Sequence, residues 1–272
     1  MTRRILRIVV LLSIVIVVAE VAVAAWIVGP AAWMALSGVS PEERRRADAE
    51  AGDPTAQYRE GKAFYGYLDG TNSVPYRHDK ASTKRLRDDA AKQARVWLTR
   101  SARQGHPLAV SLLGSGYCDG KLFARDVGRC LEVRTLAARH GVGADARSLA
   151  DAYLNGYDRE RDLSQAVQWL QRSVVAAENR IYWRRRDAFR AAHLLTGAFG
   201  GAADLPQAFT WFLVAQKIGD AAAGDRAEAL KSKLTAEQVR AAEAAAGKIA
   251  ARAKAPATLK YIPKSELPSY LK

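Results

Sequence analysis

Residues 94–105 read Ala94-Arg95-Val96-Trp97-Leu98-Thr99-Arg100-Ser101-Ala102-Arg103-Gln104-Gly105, and the reading of this tract decides the fold. Ala94, Trp97, Leu98 and Ser101 stand at i, i+3, i+4 and i+7, which places them on one face of an α-helix. The closing Gly105 is the residue type best able to take the left-handed conformation that ends a helix. Moving forward 36 residues finds Cys130, Val133, Leu136, Ala137, Ala138, His140 and Gly141 in the same register. Ala166-x-x-Trp169-Leu170-x-Arg172-Ser173 repeats the opening, and so does Ala208-x-x-Trp211-Phe212, ending at Gly219. Asp126, Asp162 and Asp204 each lie four residues before the small residue that leads a tract. An aspartate there accepts from the free N–H groups of a helix start, so each is read as an N-cap.

A second pattern follows each closing glycine. Gly52 precedes Ala56, Gly61 and Phe64, Gly105 precedes Ala109, Gly114 and Tyr117, and Gly141 precedes Ala146, Ala150 and Tyr153. Small residues on one stripe allow two helices to approach closely, and the aromatic fills the space beyond. The unit is therefore a first helix with small residues and an aromatic, a Gly-containing loop, and a second helix carrying the tract quoted above. Repetition with a period in this range is the signature of a solenoid.

Three segments make the pattern resemble the Sel1-like repeat, a relative of the tetratricopeptide repeat. They are Ala51-Gly52-Asp53-x-x-Ala56-Gln57, Leu113-Gly114-x-x-Tyr117-x-x-Gly120 and the 94–105 tract. The resemblance covers about residues 48–220, and it is weakest in the fourth unit, where Ala191–Gly201 lacks the Gly-Asp start. It implies an all-α, right-handed α-solenoid of about four helix-pair repeats whose concave face binds other proteins. Beyond it, residues 221–255 are expected to cap the array, with Thr235-x-x-Gln238 as a capping box opening a helix at Ala236. Residues 256–272 hold three of the nine prolines and little periodicity, and are expected to form a mobile or surface-tracking tail.

Residues 1–36 set the expected compartment. Arg3, Arg4 and Arg7 precede an aliphatic run from Ile8 to Ala19, Glu20 interrupts it, and apolar residues resume from Val21 to Val28. Two readings stand side by side. One is an N-terminal apolar helix that crosses the membrane and anchors the chain. The other is a signal peptide with Ala22-Val23-Ala24 as its cleavage site. Both put the repeats outside the cytoplasm, in the periplasm or on the inner membrane facing it. Cys118 and Cys130 suit an oxidising compartment as a disulfide, or serve as two buried small apolar residues.

With 42 Lys and Arg against 28 Asp and Glu, the net charge is +14, which favours acidic partners. Two stretches break the repeat and are the candidate partner-binding residues, because insertions in such arrays gather on one face. The first, between Gly70 and Ala94, contains Tyr76 and Arg77. The second is Asn179–Arg186, placed before the first helix of the fourth unit, with Tyr182, Trp183, Arg184, Arg185 and Arg186. Trp, Tyr and Arg dominate interface hot spots. The competing reading makes Trp183 a core residue and the arginines a solvated face. Export argues against nucleic acid as the ligand of this basic-aromatic cluster.

No motif for chemistry accompanies these features. His78, His106, His140 and His193 are scattered without metal-ligand spacing, and Gly114-Ser115-Gly116 falls inside a helix. No catalytic residue, metal site or cofactor is therefore assigned. The expected function is a non-catalytic protein-binding module outside the cytoplasm, its partner an acidic effector or an envelope protein. The alternative, drawn from the resemblance, is a periplasmic immunity protein neutralising a phospholipase effector of type VI secretion.

Overall fold

The computed structural model describes residues 40–72, 80–255 and 257–272. Tyr76, Arg77 and the N-terminal apolar segment lie outside the described residues. The chain divides into residues 1–51 and residues 52–272. In the first unit, α1 (Pro41–Glu50) opens on a reciprocal capping box between Ser40 and Glu43.

Among the described residues, the second unit is an all-α solenoid of four antiparallel helix pairs. They are α2 (Pro54–Asp69) with α3 (Lys80–Arg103), α4 (Pro107–Asp119) with α5 (Val127–Arg139), α6 (Gly143–Asn155) with α7 (Leu163–Val174), and α8 (Ile181–Leu195) with α9 (Leu205–Lys217). Then α10 (Ala221–Lys231) and α11 (Ala236–Lys254) pack against α9 and cover its apolar side. Asp126, Asp162 and Asp204 cap α5, α7 and α9, each accepting from the N–H three residues on at 2.9–3.0 Å. Asp220 caps α10 in the same way, and Thr235 with Gln238 forms the capping box of α11.

The small-residue stripe works as close packing. A Cβ added at Gly61 would meet Leu98 Cγ at 2.6 Å, so α2 and α3 approach to a distance only glycine allows. Leu98, Leu113, Val133 and Leu170 are fully buried along the axis of the array. The tract Trp-Leu-x-Arg repeats as geometry too. Arg100 covers the Trp97 ring at 5.0 Å and Arg172 covers Trp169 at 5.2 Å, sealing each indole with a cation. Cys118 at the end of α4 and Cys130 in α5 are joined as a disulfide.

Past α11 the chain does not leave the surface. Residues 257–272 run back along the array with Ile262, Leu267 and Leu271 buried in the core shared by α3, α4 and α5. Two short 3-10 turns, Lys264–Glu266 and Ser269–Leu271, space these anchors. The tail is thus surface-tracking along its described length.

Candidate functional site

The stretch read as an insertion before the fourth unit is instead the beginning of its first helix. Arg180 takes extended dihedrals as N-cap, and α8 starts at Ile181. Helical rotation then sends consecutive residues in different directions, and this corrects the expectation of one five-residue surface. Ala188, Ala191 and Ala192 follow Arg184 at i+4, i+7 and i+8, and all four are buried. Arg184 is 8% exposed and donates to Ala176 O at 2.8 Å and to Ala253 O at the end of α11. Burial pulls its guanidinium below its usual range, and the two carbonyls hold it. Arg184 therefore ties the cap to the array and is withdrawn from the surface.

Tyr182, Arg185, Arg186 and the later Phe189 and Arg190 line a groove of about 650 Å³. Its far wall is Gly219–Ala222, the start of α10. Tyr182 is 54% exposed. Arg185 bridges the groove, its Nη1 donating to Gly219 O at 2.8 Å. The charge here comes from three arginines against Asp220, whose carboxylate is engaged in capping α10.

Trp183 points along α8 toward α6 and is half-buried. Arg147 of α6 lies over its ring at 4.3 Å and Arg186 at 5.6 Å, while Tyr182 meets it edge-on at 5.0 Å. Arg147 also binds Asp187, with Nη1 3.1 Å from Oδ2, and Ser173 Oγ donates to the same oxygen. Asp187 is fully buried, and burial pushes its carboxyl up against the lowering pull of Ser173, Arg147 and Arg190. Arg190 pairs with Asp151 one turn further along α6. This ladder from α6 to α8 holds Arg147 in place over the indole, while exposed Arg186 meets the ring from its own helix. Sequence reasoning missed Arg147, Asp187, Phe189 and Arg190. The signal was present as complementary spacing, Arg147 and Asp151 on α6 against Asp187 and Arg190 on α8.

The surface is suited to recognition by apolar contact, cation–π stacking and attraction of carboxylates. Among the described residues, no group of three or more His, Cys, Asp or Glu side chains converges as a metal site. Among them, too, no helix is long and apolar enough to cross a membrane.

A family model described as the Sel1 repeat matches residues 85–106, 146–174 and 188–215. One similar solved structure is a protective antigen present in uropathogenic Escherichia coli strains, displaying an SLR fold. It is 22% identical with a TM-score of 0.42, and the match covers 80% of this chain and 52% of that one. The chain thus spans about half the length of that protein. Another is a Sel1 repeat protein from Oxalobacter formigenes, 16% identical with a TM-score of 0.47, covering 77% of this chain and 76% of that one. No curated protein matches the chain.

Proposed function

Taking as premise that this chain carries Sel1 repeats, which are protein-interaction modules, we propose that it is a non-catalytic binding protein working outside the cytoplasm. Its partner is a protein presenting acidic and apolar side chains to the α8 surface. The observation that carries this reading is Trp183 in contact with the guanidinium groups of Arg147 and Arg186 beside the basic groove of Tyr182, Arg185 and Phe189. An aromatic side chain already held in one orientation loses little entropy on binding, which is the property of an interface anchor. The arginine-rich start of the chain and the aliphatic run behind it support export, as signal peptide or as anchor.

The experiment is photo-crosslinking from position 182 in cells, with capture compared between the native chain and Trp183→Ala/Arg186→Glu. One protein species is expected, lost from the double variant and weakened by salt, since exposed charge pairs are screened. Unchanged capture by a folded double variant would remove this surface from the function. The narrower alternative is an immunity protein for a phospholipase effector of type VI secretion, and the basic groove favours it by suiting an acidic toxin. It requires one tight partner at one-to-one stoichiometry whose lipase activity disappears in the complex. Several partners of micromolar affinity would leave the general binding role standing and dismiss the immunity role.

A further inference from the structure

The C-terminal tail occupies a groove in the way a bound peptide does. Only Ile262, Leu267 and Leu271 are buried among residues 257–272, while most of the intervening residues are exposed. Among the described residues, one backbone hydrogen bond joins the tail to the helices, from Ile262 N–H to Gly105 O at 2.8 Å. A Cβ at Gly105 would meet the carbonyl oxygen of Ile262, so the turn before α4 is kept bare for the passing backbone. Side-chain contacts nearer the surface add to the buried anchors. Tyr261 meets Thr55, Glu266 meets His140 at 3.0 Å, and Tyr270 donates to Glu132 at 2.8 Å.

Three tail residues that flank the two 3-10 turns have polyproline II dihedrals. Pro263 (φ −57°, ψ 140°), Leu267 (φ −68°, ψ 136°) and Pro268 (φ −54°, ψ 149°) lie in the polyproline II region. Two of the three are prolines, whose fixed φ limits the freedom the tail loses on docking. The Tyr270 ring of the tail sits edge-on to Tyr117 of α4 at 6.2 Å, with the Arg129 guanidinium of α5 over it at 4.8 Å. Beside the tail, open space continues between α5 and α7. A space of about 500 Å³ beside Pro268 is lined by Tyr153 and Trp169, and one of about 850 Å³ lies beside Ala257–Lys260.

We propose that the groove between α3 and α5 is a peptide-binding site, filled in cis by the chain's own tail. Its ligand in trans is a proline-containing segment of a partner that takes the same two turns and carries the same anchors: an aliphatic residue followed by Pro, a Leu-Pro pair five residues on, then an aromatic-aliphatic pair. The tail masks the site until such a segment displaces it. Tethering at an effective concentration on the order of 1 mM makes a tail of ~10 μM intrinsic affinity hide its groove by roughly a hundredfold. The proposal does not rest on the α8 surface, and Trp183→Ala is expected to leave it untouched.

The test uses the full chain with a protease site inserted between Ala255 and Thr258. After cleavage, a fluorescent peptide of residues 257–272 is expected to bind at micromolar concentration, roughly a hundredfold tighter than it binds the uncut chain. A peptide with Leu267→Ser and Leu271→Ser should not bind. Hydrogen exchange on the native chain is the second measurement, needing no variant. Tail amides are expected to exchange well before those of α5. If they exchange together, the tail opens only with global unfolding, and the proposal fails. It fails equally if the cleaved, still helical protein ignores the peptide. If tail-to-groove cross-links form between copies of the uncut chain, the occupant is a second copy and the partner-segment assignment is overturned.

Discussion

The guanidinium of Arg147 lies 4.3 Å from the Trp183 ring centre while its Nη1 binds Asp187 at 3.1 Å. One arginine from α6 thus neutralises the buried acid of α8 and orients the indole of its neighbour. Lysine has the charge without the planar fork, so it cannot do both. Arg147→Lys is expected to keep the fold, lower stability by about 1–2 kcal/mol, and weaken partner capture severalfold. Arg147→Ala leaves Asp187 buried without its cation and should cost about 3–5 kcal/mol. Denaturant unfolding beside capture affinity separates the two outcomes.

The basic run at the start of α8 splits by function. Arg184→Met removes the donor to the Ala176 and Ala253 carbonyls and should destabilise the chain by about 2–4 kcal/mol, with α11 loosened first. Arg186→Glu, on the exposed side, should change stability by no more than about 0.5 kcal/mol and still abolish capture of an acidic partner. Hydrogen exchange in α11 and a binding titration read these separately. A variant reversing all three arginines together would unfold the cap and say nothing about the interface.

These two cases mark what the sequence made legible. The helical pairs were readable because Trp97, Leu98 and their equivalents recur with the helix period, and because Asp126, Asp162 and Asp204 cap what they precede. Tyr182 and Trp183 stood out because they break the repeat. Their surroundings did not, since Arg147 and Asp187 are 40 residues apart and meet only when one unit stacks on the next. The tail was opaque for a different reason. Ile262, Leu267 and Leu271 follow neither a helix nor a strand period, because each is aimed by an intervening turn.

Stability should respond to acid through two buried groups of opposite sign. Burial lowers His106 from its ordinary 6.5 to about 4, where its ring stacks on Tyr58 at 4.9 Å and meets the edge of Tyr261. The unfolded chain therefore binds that proton first, so His106 removes stability as pH falls from 6.5 toward 4, by up to about 3 kcal/mol. Burial raises Asp145 from 3.8 to about 6, opposed by Arg134. The folded chain binds that proton first, so Asp145 adds stability as pH falls from 6 toward 4. Relative to the native chain, His106→Phe should flatten or reverse the loss between pH 6 and 4, and Asp145→Asn should steepen it. Unfolding free energies at pH 4, 5, 6 and 7 check the sign of each. Parallel curves for the three proteins would discard the assignment.

The disulfide and the tail share a seat. Tyr117 and Arg129 immediately precede Cys118 and Cys130 in sequence, and these two side chains hold Tyr270. The bridge closes a loop with a sequence separation of 12 between the end of α4 and α5. By the chain-entropy account its loss should cost about 3 kcal/mol. Reduction frees the end of α4 to separate from α5, and the Tyr117–Arg129 pair then no longer presents one surface to the Tyr270 ring. The expected result is regional. The melting temperature falls, and protection of the Leu271 and Lys272 amides, which donate to Pro268 O and Ser269 O, falls further than that of α9, which packs on α8, α10 and α11. Cys118→Ala/Cys130→Ala should reproduce both effects without reductant. If exchange rises equally in the tail and in α9, the bridge stabilises the array as a whole and has no particular hold on the tail.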